Sequence, residues 1–197
     1  MTKQQLTISL LGTFHATLGE QNIPFRTDKI RALFAYLLLE ANQPHRRDTL
    51  ATLLWPNSDS SSARKNLRLS FFRMREAINK TADSPLANTL FHTSKQPIQM
   101  VPIDQLQVDA LIFRAQLEQV RQHQHQNVHH CPACRTALQT AVSYYKGDLL
   151  SGFNLDDAEP FMEWLTVTRE HLHQQALTAF DTLLDNLQHY AHDATLR

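Results

Sequence analysis

Ser62-Ala63-Arg64-Lys65-Asn66-Leu67-Arg68-Leu69-Ser70-Phe71-Phe72-Arg73-Met74-Arg75-Glu76-Ala77-Ile78-Asn79 is the stretch that decides the fold. Leu67, Phe71, Met74 and Ile78 recur at spacings of four, three and four, which predicts a helix from about Ser62 to Asn79 with one apolar stripe. At about 100° per residue, Lys65, Arg68, Leu69, Phe72 and Arg73 fall together on the opposite side, within roughly a third of the circumference. One face of this helix is therefore core. The other is basic, with two apolar groups among its cations.

Two shorter helices are expected before it. Ile30, Leu33, Phe34, Leu37 and Leu38 follow an i, i+3, i+4, i+7, i+8 pattern within Lys29–Glu40, with Thr27 or Asp28 able to cap it. Asp48 to Leu54 makes a second helix, stopped by Trp55-Pro56. Upstream, Leu6, Ile8 and Leu10 alternate with polar residues, Phe14 and Leu18 follow past Gly12, and Ile23-Pro24-Phe25 comes after a turn at residues 19–22. Together these read as a small antiparallel sheet. Downstream, residues 81–88 read as a loop holding Pro85. Residues 89–92 and 98–101 read as a hairpin turning at 93–97. A basic third helix followed at once by a hairpin is the element order of a winged helix-turn-helix. From Asp109 only helices are expected: Ala110–Gln124, Cys134–Tyr145, and a long one from Pro160 to about Tyr190, open to a break near His171. The fold class is thus α+β, with a winged helix over residues 1–105 and an all-α domain of tetratricopeptide-like helix pairs over 106–197.

Charge divides along the same line. Residues 1–80 carry 12 Lys/Arg against 6 Asp/Glu, a net +6, and residues 81–197 carry 7 against 13, a net −6. A basic half joined to an acidic half points to a polyanion as the partner of the first. The major groove of DNA admits one α-helix, and arginines can donate bidentately to guanine while apolar groups touch thymine methyls. Lys65, Arg68, Leu69, Phe72 and Arg73 are the expected base-facing residues. Arg46 and Arg47, at the start of the second helix, are placed to hold a phosphate, and Lys95 at the hairpin tip could reach the backbone or minor groove.

Other functions find little support. Only 4 glycines occur, no Gly-rich phosphate loop is present, and no nucleophile–base spacing can be argued, so the chain is not expected to be an enzyme or to take a small-molecule substrate. The longest apolar run, Leu33–Leu39, is too short for a membrane span, and the N-terminus lacks the apolar region of a signal peptide. A cytoplasmic protein with no membrane partner is expected.

Several segments also resemble the SARP family of bacterial activators. They are Leu10-Leu11-Gly12-Thr13-Phe14, the run Thr27 to Leu38, the run Arg47 to Pro56, Arg73 to Ile78, Tyr145 to Phe153, and Phe161-Met162-Glu163-Trp164. The resemblance covers nearly the whole chain. It implies a response-regulator-type winged helix, in which Arg75 joins the DNA-contacting residues, followed by a bacterial transcriptional activation domain. It also implies double-stranded promoter DNA as ligand, RNA polymerase as a partner, and a homodimer on direct repeats. Such a domain continues through more helix pairs than this chain holds after residue 106, so a partial one is expected. The alternative is a protein-interaction module with a degenerate winged helix. Glu76 beside the basic face and a single lysine in the hairpin favour it.

A second constellation is His123-Gln124-His125-Gln126-Asn127-Val128-His129-His130-Cys131-Pro132-Ala133-Cys134. Two thiolates and two imidazoles make a tetrahedral Zn2+ site, and C-x-x-C just before a helix is one common half of such a site. Cys131 and Cys134 with His123 and His125, or with His129 or His130 as alternates, are the expected ligands. The role would be structural, because four protein ligands leave no open position. The other reading is a pair of reduced cysteines beside a polar linker.

Overall fold

The computed structural model describes residues 4–124 and 127–195, the side chains of 129 and 189–195 aside. Strands β1 (Leu6–Ser9), β2 (His15–Leu18) and β3 (Gln21–Asn22) form an antiparallel meander. The alternation Leu6/Ile8 and Ala16/Leu18 puts those side chains into the core. The third strand is the pair Gln21–Asn22, directly after the Gly19 turn, and not Ile23-Pro24-Phe25. Proline has no N–H for a ladder, so Ile23 and Phe25 serve as buried anchors beyond the strand's end.

Helix α1 (Asp28–Leu39) buries eight of its twelve residues. Strand β4 (His45–Arg46) leads straight into α2 (Arg47–Leu54), and α3 (Ser60–Ala82) follows. The Asp59 carboxylate accepts from the Ser61 and Ser62 N–H groups at 3.0 Å each, capping the start of α3. The stripe Leu67, Phe71, Met74 and Ile78 is buried, at 5% exposure or less. The expected loop after α3 instead holds α4 (Leu86–Leu90), which Pro85 starts and the Asn79 side chain braces by accepting from the Ala87 N–H at 2.8 Å. The hairpin follows as β5 (Phe91–Thr93) and β6 (Pro97–Met100). β4 pairs with β6 to make a three-stranded sheet in the order β4-β6-β5. This is a winged helix, with the wing tied to the entry of α2.

The chain then returns to the first sheet. Strand β7 (Leu106–Val108) lies parallel to β1, giving the order β3-β2-β1-β7. Among the described residues three α-helices follow: α5 (Asp109–Gln122), α6 (Pro132–Tyr144) and α7 (Glu159–Thr195). α7 runs unbroken past His171.

The two halves share one hydrophobic core, which reaches from Leu6 through the α1–α3 apolar faces to Phe113, Phe161 and Leu172. Polar contacts across the junction are specific. The Asp109 carboxylate, 8% exposed, accepts from the N–H groups of Leu10, Leu11 and Ala110 at 2.7–2.9 Å. Leu10 accepts in turn from the Leu150 N–H at 2.7 Å, and Gly12 from the Ser151 N–H at 2.7 Å. Gly12 has φ +108°, and its Cα lies 3.5 Å from where a side chain on Gly147 would begin, so the two loops pass at backbone distance. Lys29 donates to the Leu54 carbonyl and pairs with Asp157 at 2.8 Å, so that aspartate joins the halves. Trp164 stacks edge-on against Tyr36, with centroids 4.8 Å apart, and donates its indole N–H to Glu40 at 3.0 Å. Among the described residues no helix is long and apolar enough to cross a membrane.

Candidate nucleic-acid interface

Burial of the 67/71/74/78 stripe fixes the rotation of α3 and so its outward face. Lys65, Arg68, Leu69, Phe72 and Arg73 are all exposed. Leu69 is 44% and Phe72 60% exposed, large apolar groups left in water between cations. Such groups usually mark a contact surface when they sit together.

Between α3 and the wing runs an open groove of about 620 Å³. Arg47, Arg64, Arg68 and Lys95 line it, with Thr93, Ser94 and Gln96 on the side of the wing. Arg47 is positioned from both sides: its backbone N–H donates to the Gln96 carbonyl at 3.1 Å, and its guanidinium reaches the Ser94 carbonyl at 3.4 Å. Burial, and then the nearby Arg68 guanidinium, pull the Arg47 guanidinium below its ordinary pKa. Two cations that disfavour each other across a groove gain from an anion placed between them. Asp48 is the acidic residue of the groove. It pairs with Arg64 at 2.6 Å, and that hydrogen bond holds its carboxyl below the usual range.

The remaining expected contact residues divide. Arg46 is exposed on β4, and Lys95 is exposed at the wing tip. Arg75 is committed within the protein: it donates to the Asn88 side chain and stacks over Phe71 at 5.7 Å, although it borders the same groove. Arg64 was missed by the sequence reading. Its signal is the i, i+4 spacing to Arg68, which puts both on the edge of α3 that turns toward the wing.

The second constellation also converges. His123 ends α5, Cys131 is the cap residue of α6, and Cys134 sits buried in the first turn of α6. The His123 Nδ1 lies 3.5 Å from the Cys131 Sγ and 3.4 Å from the Cys134 Sγ. The Cys134 backbone N–H, chiefly, holds the Cys131 thiol below its ordinary pKa, whereas burial pushes Cys134 up to about 11. His130 is exposed and is not one of the three. His125 lies outside the described residues, as does the side chain of His129.

Comparison with known proteins agrees with this architecture. Residues 108–196 match the family model of the bacterial transcriptional activator domain, BTAD. No curated protein matches the chain. Among solved structures, the chain is similar to "Mycobacterium tuberculosis EmbR in complex with low affinity phosphopeptide", with a TM-score of 0.68 and 20% identity. The match covers 90% of this chain and 44% of that one, so this chain spans less than half the length of its structural relative. The shared fold and the BTAD together bear out the resemblance to SARP-type activators.

Proposed function

We propose that this chain is a sequence-specific, DNA-binding transcriptional activator that reads double-stranded promoter DNA through its winged helix. The observation that carries the proposal is the cationic groove between α3 and the wing. A DNA backbone strand laid in it meets Arg47, Arg64, Arg68 and Lys95, with Arg46 beside it, while α3 enters the major groove alongside. That groove is about 12 Å wide, which suits one helix. In this pose Lys65, Arg68 and Arg73 donate to base edges or phosphates, and Leu69 and Phe72 shed water against thymine methyls. The helical half, fixed to the winged helix through Asp109, Lys29 and Trp164, presents a rigid surface to RNA polymerase or to a second protomer on a direct repeat. The division of labour falls near residue 105, and the setting is the cytoplasm.

The test is the salt dependence of binding to a random-sequence duplex, followed by fluorescence anisotropy. Each phosphate contact contributes roughly one to the slope of log K against log salt. Arg64→Ala and Lys95→Ala should each lower that slope by about one. Unchanged slopes in both variants would remove the groove from the interface. One observation favours a second reading, a partner-binding module. Leu177, Phe180, Leu184 and Leu187, spaced three, four and three along α7, are 39–56% exposed. In that reading DNA affinity is negligible at every salt concentration.

A further inference from the structure

We infer that His123, Cys131 and Cys134 hold one structural zinc ion where the chain turns from α5 into α6. The three donor atoms lie within 4.8 Å of one another. In a tetrahedral site with Zn–S near 2.3 Å and Zn–N near 2.0–2.1 Å, an S···N edge measures roughly 3.5 Å. The two S···N distances here are 3.5 and 3.4 Å. One ring nitrogen thus faces two sulfurs almost equally, as a shared metal requires. Two thiols and an imidazole form a soft donor set, suited to zinc and not to magnesium or calcium.

Local structure explains how the site is built. Pro132 sits in the first turn of α6 and fixes the entry of the helix, which sets Cys131 and Cys134 on one side of its N-terminus. His123, directly after α5, closes the opposite end of the turn. The segment between is polar, and the buried Asn186 side chain of α7 donates to its Val128 carbonyl at 3.1 Å. The apolar cluster beneath is small, built on Leu138, Ala179 and Leu183. A cross-link at 123, 131 and 134 would fasten the end of α5 to the start of α6. For the fourth position the sequence offers His125, His129 and His130. Binding expels the two Sγ–H protons to solvent and leaves two thiolates on Zn2+, with no change of oxidation state.

The experiment uses the whole chain, purified under reducing conditions. Metal content is measured by mass spectrometry, and chelator-treated protein is titrated with Co2+. One zinc per chain is expected, along with visible Co2+ bands of tetrahedral type and near-ultraviolet thiolate charge-transfer bands. Cys131→Ser and Cys134→Ser should lose both the metal and the bands. Alanine variants at His125, His129 and His130 assign the fourth ligand. His123→Cys keeps the donor count, so it should retain the metal and strengthen the charge-transfer band, which separates loss of a ligand from loss of the fold. Chelation should lower the melting temperature and Zn2+ restore it. Wild-type protein with both thiols free and reduced, yet with no zinc and no thiolate–cobalt bands, would overturn the inference. Full zinc occupancy in both serine variants would overturn it as well.

Discussion

Asp109→Asn should destabilise the whole chain, because the Asp109 carboxylate is a buried polar link between its halves. Its two oxygens accept four contacts, at 2.7–2.9 Å, from the N–H groups of Leu10, Leu11 and Ala110. Asparagine keeps the shape but replaces one oxygen with an NH2. Whichever way the amide turns, a donor then faces a buried backbone donor. An unsatisfied buried N–H costs about 1–3 kcal/mol, and a hydrogen bond to a charged group contributes about 1.5–3 kcal/mol. Part of this is offset, because the ionised carboxylate is itself disfavoured by burial, which raises the Asp109 pKa. A net loss of about 2–4 kcal/mol follows, equivalent to roughly 5–15 °C in melting temperature for a chain of this size. The pH dependence has a definite sign. A carboxyl whose folded pKa is raised contributes stability that is present below its unfolded pKa and lost as pH rises through the folded one. The advantage of the wild type over Asp109→Asn should therefore grow as pH falls from neutral into the carboxylate range. Urea denaturation, followed by circular dichroism and by tryptophan fluorescence at several pH values, measures this. Equal stabilities within about 0.5 kcal/mol, an advantage that shrinks on acidification, or separate transitions for the two halves in the wild type would refute the reasoning.

Met74→Ala empties a fully buried position on α3 and should cost about 2–5 kcal/mol of unfolding free energy in the same assay. Phe72→Ala, at a position 60% exposed, should change stability by no more than about 0.5 kcal/mol yet weaken DNA binding measurably by anisotropy. Asp48→Asn removes the negative charge that neutralises Arg64 in the groove. It should tighten binding to random-sequence DNA and steepen its salt dependence, and a weakened affinity would count against the groove as a phosphate path.

Helices α1 to α3 were legible because their apolar residues recur at helical spacing, and in α3, which buries a single stripe, that spacing also fixes the rotation. That is why the exposure of Lys65, Arg68, Leu69, Phe72 and Arg73 could be read from the burial of Leu67, Phe71, Met74 and Ile78. Short elements gave no such pattern. β7 is three residues long and exists because β1, a hundred residues earlier, offers it an edge. α4 is a five-residue turn held by a side chain from α3. The single core across both halves was likewise hidden, since it depends on how α7 lies against α1 and α2. At the site, the place of Arg64 in the groove and the diversion of Arg75 to Asn88 both follow from packing between elements, which sequence spacing does not carry. The His123, Cys131 and Cys134 grouping was visible in outline from C-x-x-C before a helix. Which histidine approaches the thiols was left open by the sequence and is resolved for His123 by the end point of α5.

The most direct measurement of DNA reading is selection of bound duplexes from a randomised pool, sequenced after several rounds at two salt concentrations, with the wild type beside Arg68→Ala/Arg73→Ala. The account predicts enrichment of a defined motif, arranged as a direct repeat, for the wild type. It also predicts loss of about 1–3 kcal/mol per base-reading arginine, with relaxed preference at the positions those side chains face. A folded wild-type chain that enriches no motif at either salt concentration, or a double variant that enriches the same motif with the same affinity, would contradict it.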